Sequence, residues 1–145
     1  HHHRQTQETA QSHGQYQNCV RRRYLGDGKP FYIPRTKTSP KEAIELIKQA
    51  DGIPVLAHPM LYKLGKNTLE KYIKMMTDWG LEAMEVYYST NTPSDDLYLS
   101  HLANHYHLKY SGGSDFHGTY KPHIQIGTGK GRLVVPYDIL EKLRA

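Results

Sequence analysis

The feature that most limits the fold is an alternation of helical and strand-like segments from Ser39 onward. Ser39–Glu42 has the Ser, Pro and Glu of a capping box and predicts the start of a helix, which Asp51–Gly52 ends. The short apolar run 53–57 then predicts a strand. The order strand, helix, strand, helix, strand is typical of a parallel sheet covered by helices. The sequence therefore predicts an α/β fold.

Later caps and periodicities continue this order. The predicted elements are a helix from Thr68 to Gly80, a strand over Leu81–Tyr88, a helix from Thr92, a strand over Leu108–Ser111, strand candidates at Ile124–Ile126 and Arg132–Val135, and a closing helix from Pro136. Within the helix from Thr92, one stripe of side chains is predicted to face the core, namely Leu99, Leu102, Ala103 and Tyr106.

Charge and composition narrow the class of partner. The formal net charge is +5, which favours anionic partners such as phosphate esters, nucleic acid or acidic surfaces. The run Arg21–Arg23 lacks interleaved aromatic residues, so nucleic acid is the less favoured of these. No apolar run approaches the roughly 20 residues of a membrane span. We expect no membrane contact and a cytoplasmic location, and the lone Cys19 cannot form an internal disulfide.

The N-terminal residues differ from the rest in composition. Residues 1–3 are histidines and are interpreted as a tag remnant. Residues 4–23 contain almost no apolar side chains, so they are predicted to be loose or dependent on a partner. Residues 24–145 are predicted to form the folded domain.

Several candidate site residues lie where the predicted strands end. Asp115 and His117 stand two apart within the glycine-flanked stretch 112–118, which fits either a pair of metal ligands or an Asx-type turn. His58 ends the first strand. Glu85 lies near the end of the second, as a buried acceptor or a site residue. Because the carboxyl ends of parallel strands share one edge, where (β/α) barrels carry their active sites, we expect these residues to lie together.

Two of these stretches together carry a family resemblance. Leu56–Pro59 reads Leu-Ala-His-Pro and Gly113–Gly118 reads Gly-Ser-Asp-Phe-His-Gly, an ordered pair that resembles the PHP (polymerase and histidinol phosphatase) superfamily of metal-dependent phosphoesterases. Gly26–Arg35, Ser39–Ile44 and Gly80–Tyr87 resemble the branch that cleaves phosphate from small nucleotides, including nucleoside 3',5'-bisphosphates. The resemblance runs from about Tyr24 to the end of the sequence and makes residues 24–145 a partial PHP domain.

The resemblance implies a fold, a cofactor and ligands. It implies a distorted (β/α)7 barrel around two or three divalent metal ions, of which Mn, Zn or Fe suit a mixed Asp and His ligand set better than calcium does. Metal ligands would be His58, Asp115 and His117, and the ions would activate a water for attack on phosphorus. Phosphate would be held by Arg35 and, less directly, by Lys121 or His123. No catalytic residue is assigned apart from the metal ligands.

The chain departs from the family at its start. Family members open with a strand-borne His-x-His that supplies early metal ligands, and no such strand precedes Tyr24. We therefore expect the C-terminal half of the barrel, inactive by itself, that either self-associates or retains the missing N-terminal half. The physiological partner would be a phosphorylated small molecule. The alternative is a non-catalytic PHP-like interaction or structural module, and a nucleic-acid-binding module ranks third.

Overall fold

The computed structural model describes residues 23–24, 28–32 and 37–145. Thr38–Ala145 forms one compact unit, and His1–Lys37 is divided from it. Of the residues before this unit, the rings of Tyr24 and Phe31 lie at a tilt with centroids 6.2 Å apart, and the Phe31 amide donates to the Tyr24 carbonyl. The predicted phosphate ligand Arg35, the tag remnant 1–3 and the predicted loose segment 4–23 apart from Arg23 lie outside the described residues.

The compact unit alternates helices and strands in the predicted order. Its elements are α1 (Pro40–Gln49), β1 (Val55–Leu56), α2 (Lys66–Asp78), β2 (Ala83–Tyr88), α3 (Pro93–His105), β3 (Lys109–Gly113) and α4 (Tyr137–Arg144), with short 3-10 turns at Pro59–Tyr62 and Gly118–Tyr120. Among the described residues, no helix is both long enough and apolar enough to span a membrane.

The strands form one parallel sheet in the order β1-β2-β3. Val55 lies opposite Ala83, and Ala83 lies opposite Lys109. The pairing of β2 with β3 is interrupted by a bulge between Glu85 and Tyr87. The parallel α/β prediction is confirmed, and all three strands end at the same edge.

The core is built on both faces of β2. Ala83, Met84 and Val86 are completely buried, and since successive strand residues point to opposite faces, the sheet is covered on both sides. Leu99 and Ala103 of α3 are equally buried, so the predicted inward stripe of that helix is confirmed.

Local capping chemistry explains where two helices begin. The Ser39 hydroxyl accepts from the Glu42 amide at 3.2 Å, and the Glu42 carboxylate accepts from the Ser39 amide at 2.8 Å. Thr92 and Asp95 form the same reciprocal pair at the start of α3. Both predicted helix starts are confirmed, because each box satisfies amides that the first helical turn leaves without partners.

The prediction that α2 begins with Thr68 as its N-cap is wrong. The helix begins at Lys66, and its N-cap residue is Gly65, which offers no side-chain hydrogen bond. Thr68 lies within the first turn, and its amide donates to the Gly65 carbonyl at 2.9 Å. An extended glycine backbone at φ −61° and ψ 151° starts this helix without a polar cap.

The strand candidates Ile124–Ile126 and Arg132–Val135 are also wrong. The region is irregular and holds one isolated antiparallel bridge, between Gln125 and Gly129. Gly127, Gly129 and Gly131 all have positive φ, so the backbone turns too often for a strand to extend. Ile126 and Val134 are about three-quarters exposed, with no core face to hold them.

Other boundaries move by a few residues. Strand β1 covers only Val55–Leu56 of the predicted 53–57, and β3 runs on to Gly113, past the predicted Ser111. The left-handed residue after α1 is Asp51, at φ 54°. The closing helix follows Pro136 as predicted, with Ile139 buried.

Replacing a core leucine of α3 should destabilise the unit far more than replacing an exposed one. Leu99 is 0% exposed and Leu97, on the same helix, is 73% exposed. We expect Leu99→Ala to lower the free energy of unfolding by about 2–5 kcal/mol and Leu97→Ala to change it by less than about 0.5 kcal/mol. Urea denaturation followed by circular dichroism measures both, and equal effects would contradict the burial of this face.

Candidate metal site at the carboxyl edge of the sheet

The three strand ends deliver polar side chains to one edge. His58 follows β1, Tyr88 is the last residue of β2, and Asp115 follows β3. The loop before Asp115 is fixed by the Ser89 hydroxyl, which donates to the Ser114 carbonyl at 2.6 Å. Ends of neighbouring parallel strands meet at one edge, and this edge is where α/β folds bind ligands.

His58 is held in an unusual conformation. Its φ of 33° and ψ of 57° lie in the left-handed region, which costs a non-glycine residue about 1–2 kcal/mol. Its amide donates to Glu85 Oε2 at 2.7 Å, and its ring centroid lies 5.6 Å from that of Tyr88. Its Nδ1 atom is buried and has no hydrogen-bond partner in the described part of the chain. A buried nitrogen of this kind is suited to donate a lone pair to a cation.

Asp115 is the most heavily engaged carboxylate of the site. Its Oδ2 atom accepts from the Tyr88 hydroxyl at 2.9 Å and forms an ion pair with the Lys121 ammonium. The Lys121 hydrogen bond is the main cause that holds the pKa of Asp115 below its ordinary value, and the Tyr88 hydroxyl adds to it. Asp115 is therefore ionised across the physiological range.

Tyr88 is a hydrogen-bond donor by necessity. Burial, then the hydrogen bond to the charged Asp115, raises the pKa of Tyr88 to about 12. The phenol thus keeps its proton at neutral pH and orients the Asp115 carboxylate.

His117 has a defined tautomer. Its Nδ1 atom lies 2.8 Å from the Asp115 carbonyl oxygen, which can only accept, so Nδ1 must carry the hydrogen. The same contact leaves the Nε2 lone pair of the neutral ring available for a metal, the arrangement common among metal-binding histidines.

Glu85 is half-buried and contacts His58 through the main chain. Burial is the main cause that raises the pKa of Glu85, and the nearby Asp115 charge adds to it, whereas the His58 amide acts in the opposite direction. Burial and the Glu85 charge also raise the pKa of Tyr62, whose ring lies 6.2 Å from that of His58. The predicted near-site residue thus lies beside His58.

The structure brings only some of the predicted metal ligands into contact. Tyr88 links His58 to Asp115, and Asp115 contacts His117 directly. Among residues 23–24, 28–32 and 37–145, however, no group of three or more His, Cys, Asp or Glu side chains is arranged to hold a metal ion. The assignment of His58, Asp115 and His117 as ligands stays a prediction. Their imidazole nitrogens and carboxylate oxygen fit Mn, Zn or Fe as part of a ligand set.

The predicted phosphate ligands fall in different places. The Lys121 ammonium contacts Asp115, so it lies within the site but is paired with a predicted metal ligand. His123 is exposed. Sequence reasoning missed the role of Tyr88, for which the only available signal was its position as the last residue of β2.

Removing the Lys121 charge should raise the pKa of Asp115. We expect Lys121→Met to move it toward its ordinary value, measured by carbon NMR titration of the Asp115 carboxyl carbon. Ionised Asp115 favours the folded state, so its stabilisation is present above the ordinary carboxyl pKa and is lost as pH falls through the lowered value.

Lys142→Met is the matched control for this titration. Lys142 lowers the pKa of Asp138 by a comparable ion pair on α4. The substitution should raise the pKa of Asp138 and leave that of Asp115 unchanged. An unchanged Asp115 pKa in Lys121→Met would contradict the ion pair as its cause.

Several known proteins are similar to this chain in sequence. No family model matches the sequence. The 5'-3' exoribonuclease Rnm of Salmonella typhimurium is 36% identical over 108 residues, which cover 74% of this chain and 36% of the relative. The 3',5'-nucleoside bisphosphate phosphatase of Chromobacterium violaceum is 34% identical over 98 residues, which cover 68% of this chain and 34% of the relative.

A solved structure agrees with these relatives. A protein of Bifidobacterium adolescentis, described as a candidate metal-dependent phosphoesterase, superimposes with a TM-score of 0.60 at 28% identity, over 81% of this chain and 40% of that one. The chain thus spans about a third of the length of the curated relatives it matches. The sequence identities, the shared fold and the motifs at His58 and Asp115–His117 show that the chain belongs to the PHP superfamily.

Proposed function

We propose that this chain forms part of a metal-dependent phosphoesterase that releases phosphate from a small nucleotide such as a nucleoside 3',5'-bisphosphate. The observation that carries the proposal is the pair at the end of β3, where an ionised Asp115 adjoins a His117 ring whose Nε2 is available. The Chromobacterium violaceum relative is named for this substrate class, and the net charge of +5 suits an anionic substrate.

The proposed ligands have distinct tasks. Asp115 supplies the negative charge, His117 supplies Nε2, and His58 supplies an imidazole nitrogen from the end of β1. Tyr88 donates to Asp115 and keeps that carboxylate oriented. When bound, divalent ions would lower the pKa of a water and neutralise charge on the phosphoryl oxygens. Arg35 and, less directly, Lys121 or His123 would hold the substrate phosphate.

The chain supplies only some of the ligands that such a site needs. We propose that it corresponds to the C-terminal half of a distorted (β/α)7 barrel, whose other half supplies further ligands for two or three ions. A site with part of its ligands binds metal weakly and positions it poorly. The chain alone should therefore have little or no activity.

RNA is the second candidate substrate. The Salmonella typhimurium relative, at 36% identity, is named a 5'-3' exoribonuclease. Phosphodiester cleavage from an RNA end would use the same Asp115 and His117 and the same activated water. A non-catalytic PHP-like module is the rival from another class, and its expected signature is a barrel that binds no metal.

Substitution of the proposed ligands should weaken metal binding. We expect the chain to bind Mn²⁺ weakly in calorimetric titrations, and Asp115→Asn and His117→Ala each to weaken that binding at least about 10-fold. His101→Ala is the control, because His101 lies exposed on α3. Equal Mn²⁺ affinity in the control and the ligand variants would contradict the site.

Activity should require more than this chain. Phosphate release from a nucleoside 3',5'-bisphosphate with Mn²⁺ is expected to be negligible for the chain of 145 residues and measurable for the longest product of the natural gene. In that product Asp115→Asn should lower the rate at least about 100-fold, beyond the 10- to 100-fold that loss of a ligand-orienting group costs.

The substrate arms of the same assay separate the candidates. Faster turnover of an oligoribonucleotide than of the bisphosphate would favour the exonuclease function. Turnover by the chain alone, abolished by His117→Ala, would contradict the incomplete site. Absence of both metal binding and turnover in the longest product would favour the structural module.

The open edge of the sheet should promote association. In the described part of the chain, β1 pairs only with β2, which leaves a strand edge without hydrogen bonds. We propose that the chain self-associates across this edge or retains an N-terminal fragment. Sedimentation at low micromolar concentration should give a mass above 16.7 kDa, and a stable monomer with nothing bound would contradict the proposal.

A further inference from the structure

The Glu85 side chain reaches from β2 into the loops on both sides of it. Its Oε2 atom accepts from the His58 amide at 2.7 Å, across from the end of β1. Its Oε1 atom lies where a side chain at Gly113, the last residue of β3, would project, only 2.9 Å from an ideal Cβ. One carboxylate therefore binds the main chain of His58 and lies beside Gly113, two residues before Asp115.

The His58 contact bears on how that residue is held. A left-handed histidine needs support from its surroundings, and the hydrogen bond that its carbonyl accepts from the Leu61 amide, at 3.0 Å, is local. The Glu85 bond is the long-range bond to its amide, and a hydrogen bond to a carboxylate is stronger than one between neutral groups. Without it, the His58 amide would lie half-buried and unpaired.

The Gly113 contact shows what a side chain at that position would displace. Gly113 does not have a positive φ, in contrast to Gly118, so backbone conformation does not demand glycine there. A Cβ there would lie 2.9 Å from Glu85 Oε1, closer than real Cβ atoms approach an atom, so the end of the flexible Glu85 side chain would have to move. An alanine at this position would push the Glu85 carboxylate away from the His58 amide.

We propose that Glu85 is a positioning residue that fixes His58 at the metal site through the His58 main-chain amide. The missing side chain at Gly113 leaves room for the Glu85 carboxylate. The metal-site part rests on the proposed function, whereas the contact itself does not. Oε2 accepts from the His58 amide and Oε1 lies toward Gly113, so Glu85 orients a proposed ligand through that ligand's main chain. The fold thereby couples the end of β1 to the end of β3 through the central strand.

The first test is hydrogen exchange of the His58 amide, followed by NMR in the full chain without added metal. We expect Glu85→Ala to accelerate exchange about 10-fold, as loss of a hydrogen bond to a charged group implies. Glu85→Gln keeps an oxygen acceptor and should restore most of the protection. Glu82→Ala is the control, since Glu82 pairs with Lys48 on the surface and should leave His58 unchanged.

The second test is a double-mutant cycle on stability. Gly113→Ala should lower stability in the wild type by displacing the Glu85 carboxylate from the His58 amide, and should have a smaller effect in the Glu85→Ala background, where that carboxylate is gone. Gly112→Ala is the matched control. Its added carbon would meet Val135 and Tyr87 instead, so its cost should be the same in both backgrounds.

The third test is Mn²⁺ titration, which distinguishes the positioning of His58 by Glu85 from the proposed metal function of the site. Glu85→Ala should weaken Mn²⁺ binding about 10- to 100-fold, with rescue by Glu85→Gln. Unchanged His58 exchange in Glu85→Ala, or equal costs of Gly113→Ala in the two backgrounds, would overturn the positioning role. Faster exchange in a chain whose wild type binds no Mn²⁺ would support the positioning of His58 and contradict the proposed metal function.

Discussion

The structure depends on β2 being paired in parallel on both sides. Ala83, Met84 and Val86 are completely buried, so the strand is locked between layers of helix and cannot slip by one residue without exposing its apolar side chains. Parallel pairing then forces the chain to leave every strand at the same edge. His58, Tyr88 and Asp115 lie near one another because of this constraint, although they are far apart in the sequence.

The pairing is irregular where it meets the site. The bulge between Glu85 and Tyr87 shifts the register of β2 against β3. In this region the Asn91 side-chain Nδ2 donates to the Val86 carbonyl at 2.9 Å. Bulges redirect side chains and are common beside functional sites. Here the residues on either side of the bulge include Glu85, which contacts His58, and Tyr88, which contacts Asp115.

Local chemistry made much of the fold predictable. The Ser39 and Thr92 caps, the apolar stripe of α3 and the strand-end position of His58 all follow from short-range patterns that the structure reproduces. The structure of region 124–135 could not be predicted from such patterns. Its apolar residues alternate as in a strand, but repeated glycine turns prevent a strand from forming. Helix α2 starts at a glycine that offers no polar signal.

The candidate site was predictable in its location more than in its contacts. Because Asp115 and His117 follow a predicted parallel strand, their location at the carboxyl edge of the sheet could be predicted. Their hydrogen-bond partners depend on tertiary geometry, which sequence spacing does not encode. The Lys121 pairing with Asp115 and the donation from Tyr88 are of this kind. So is the contact between Glu85 and the His58 amide, which joins residues 27 apart in the sequence.

The proposed function depends on the prediction that His58, Asp115 and His117 contribute ligands to a divalent metal site at the carboxyl edge of the sheet. A crystal structure grown with Mn²⁺, with anomalous scattering recorded near the manganese edge, tests it most directly. The account predicts an anomalous peak within about 2.0–2.3 Å of His117 Nε2 and an Asp115 oxygen, with the Lys121 ammonium displaced from that carboxylate. A well-ordered site with no peak there, or a peak confined to the exposed His101 and His105 pair on α3, would contradict it.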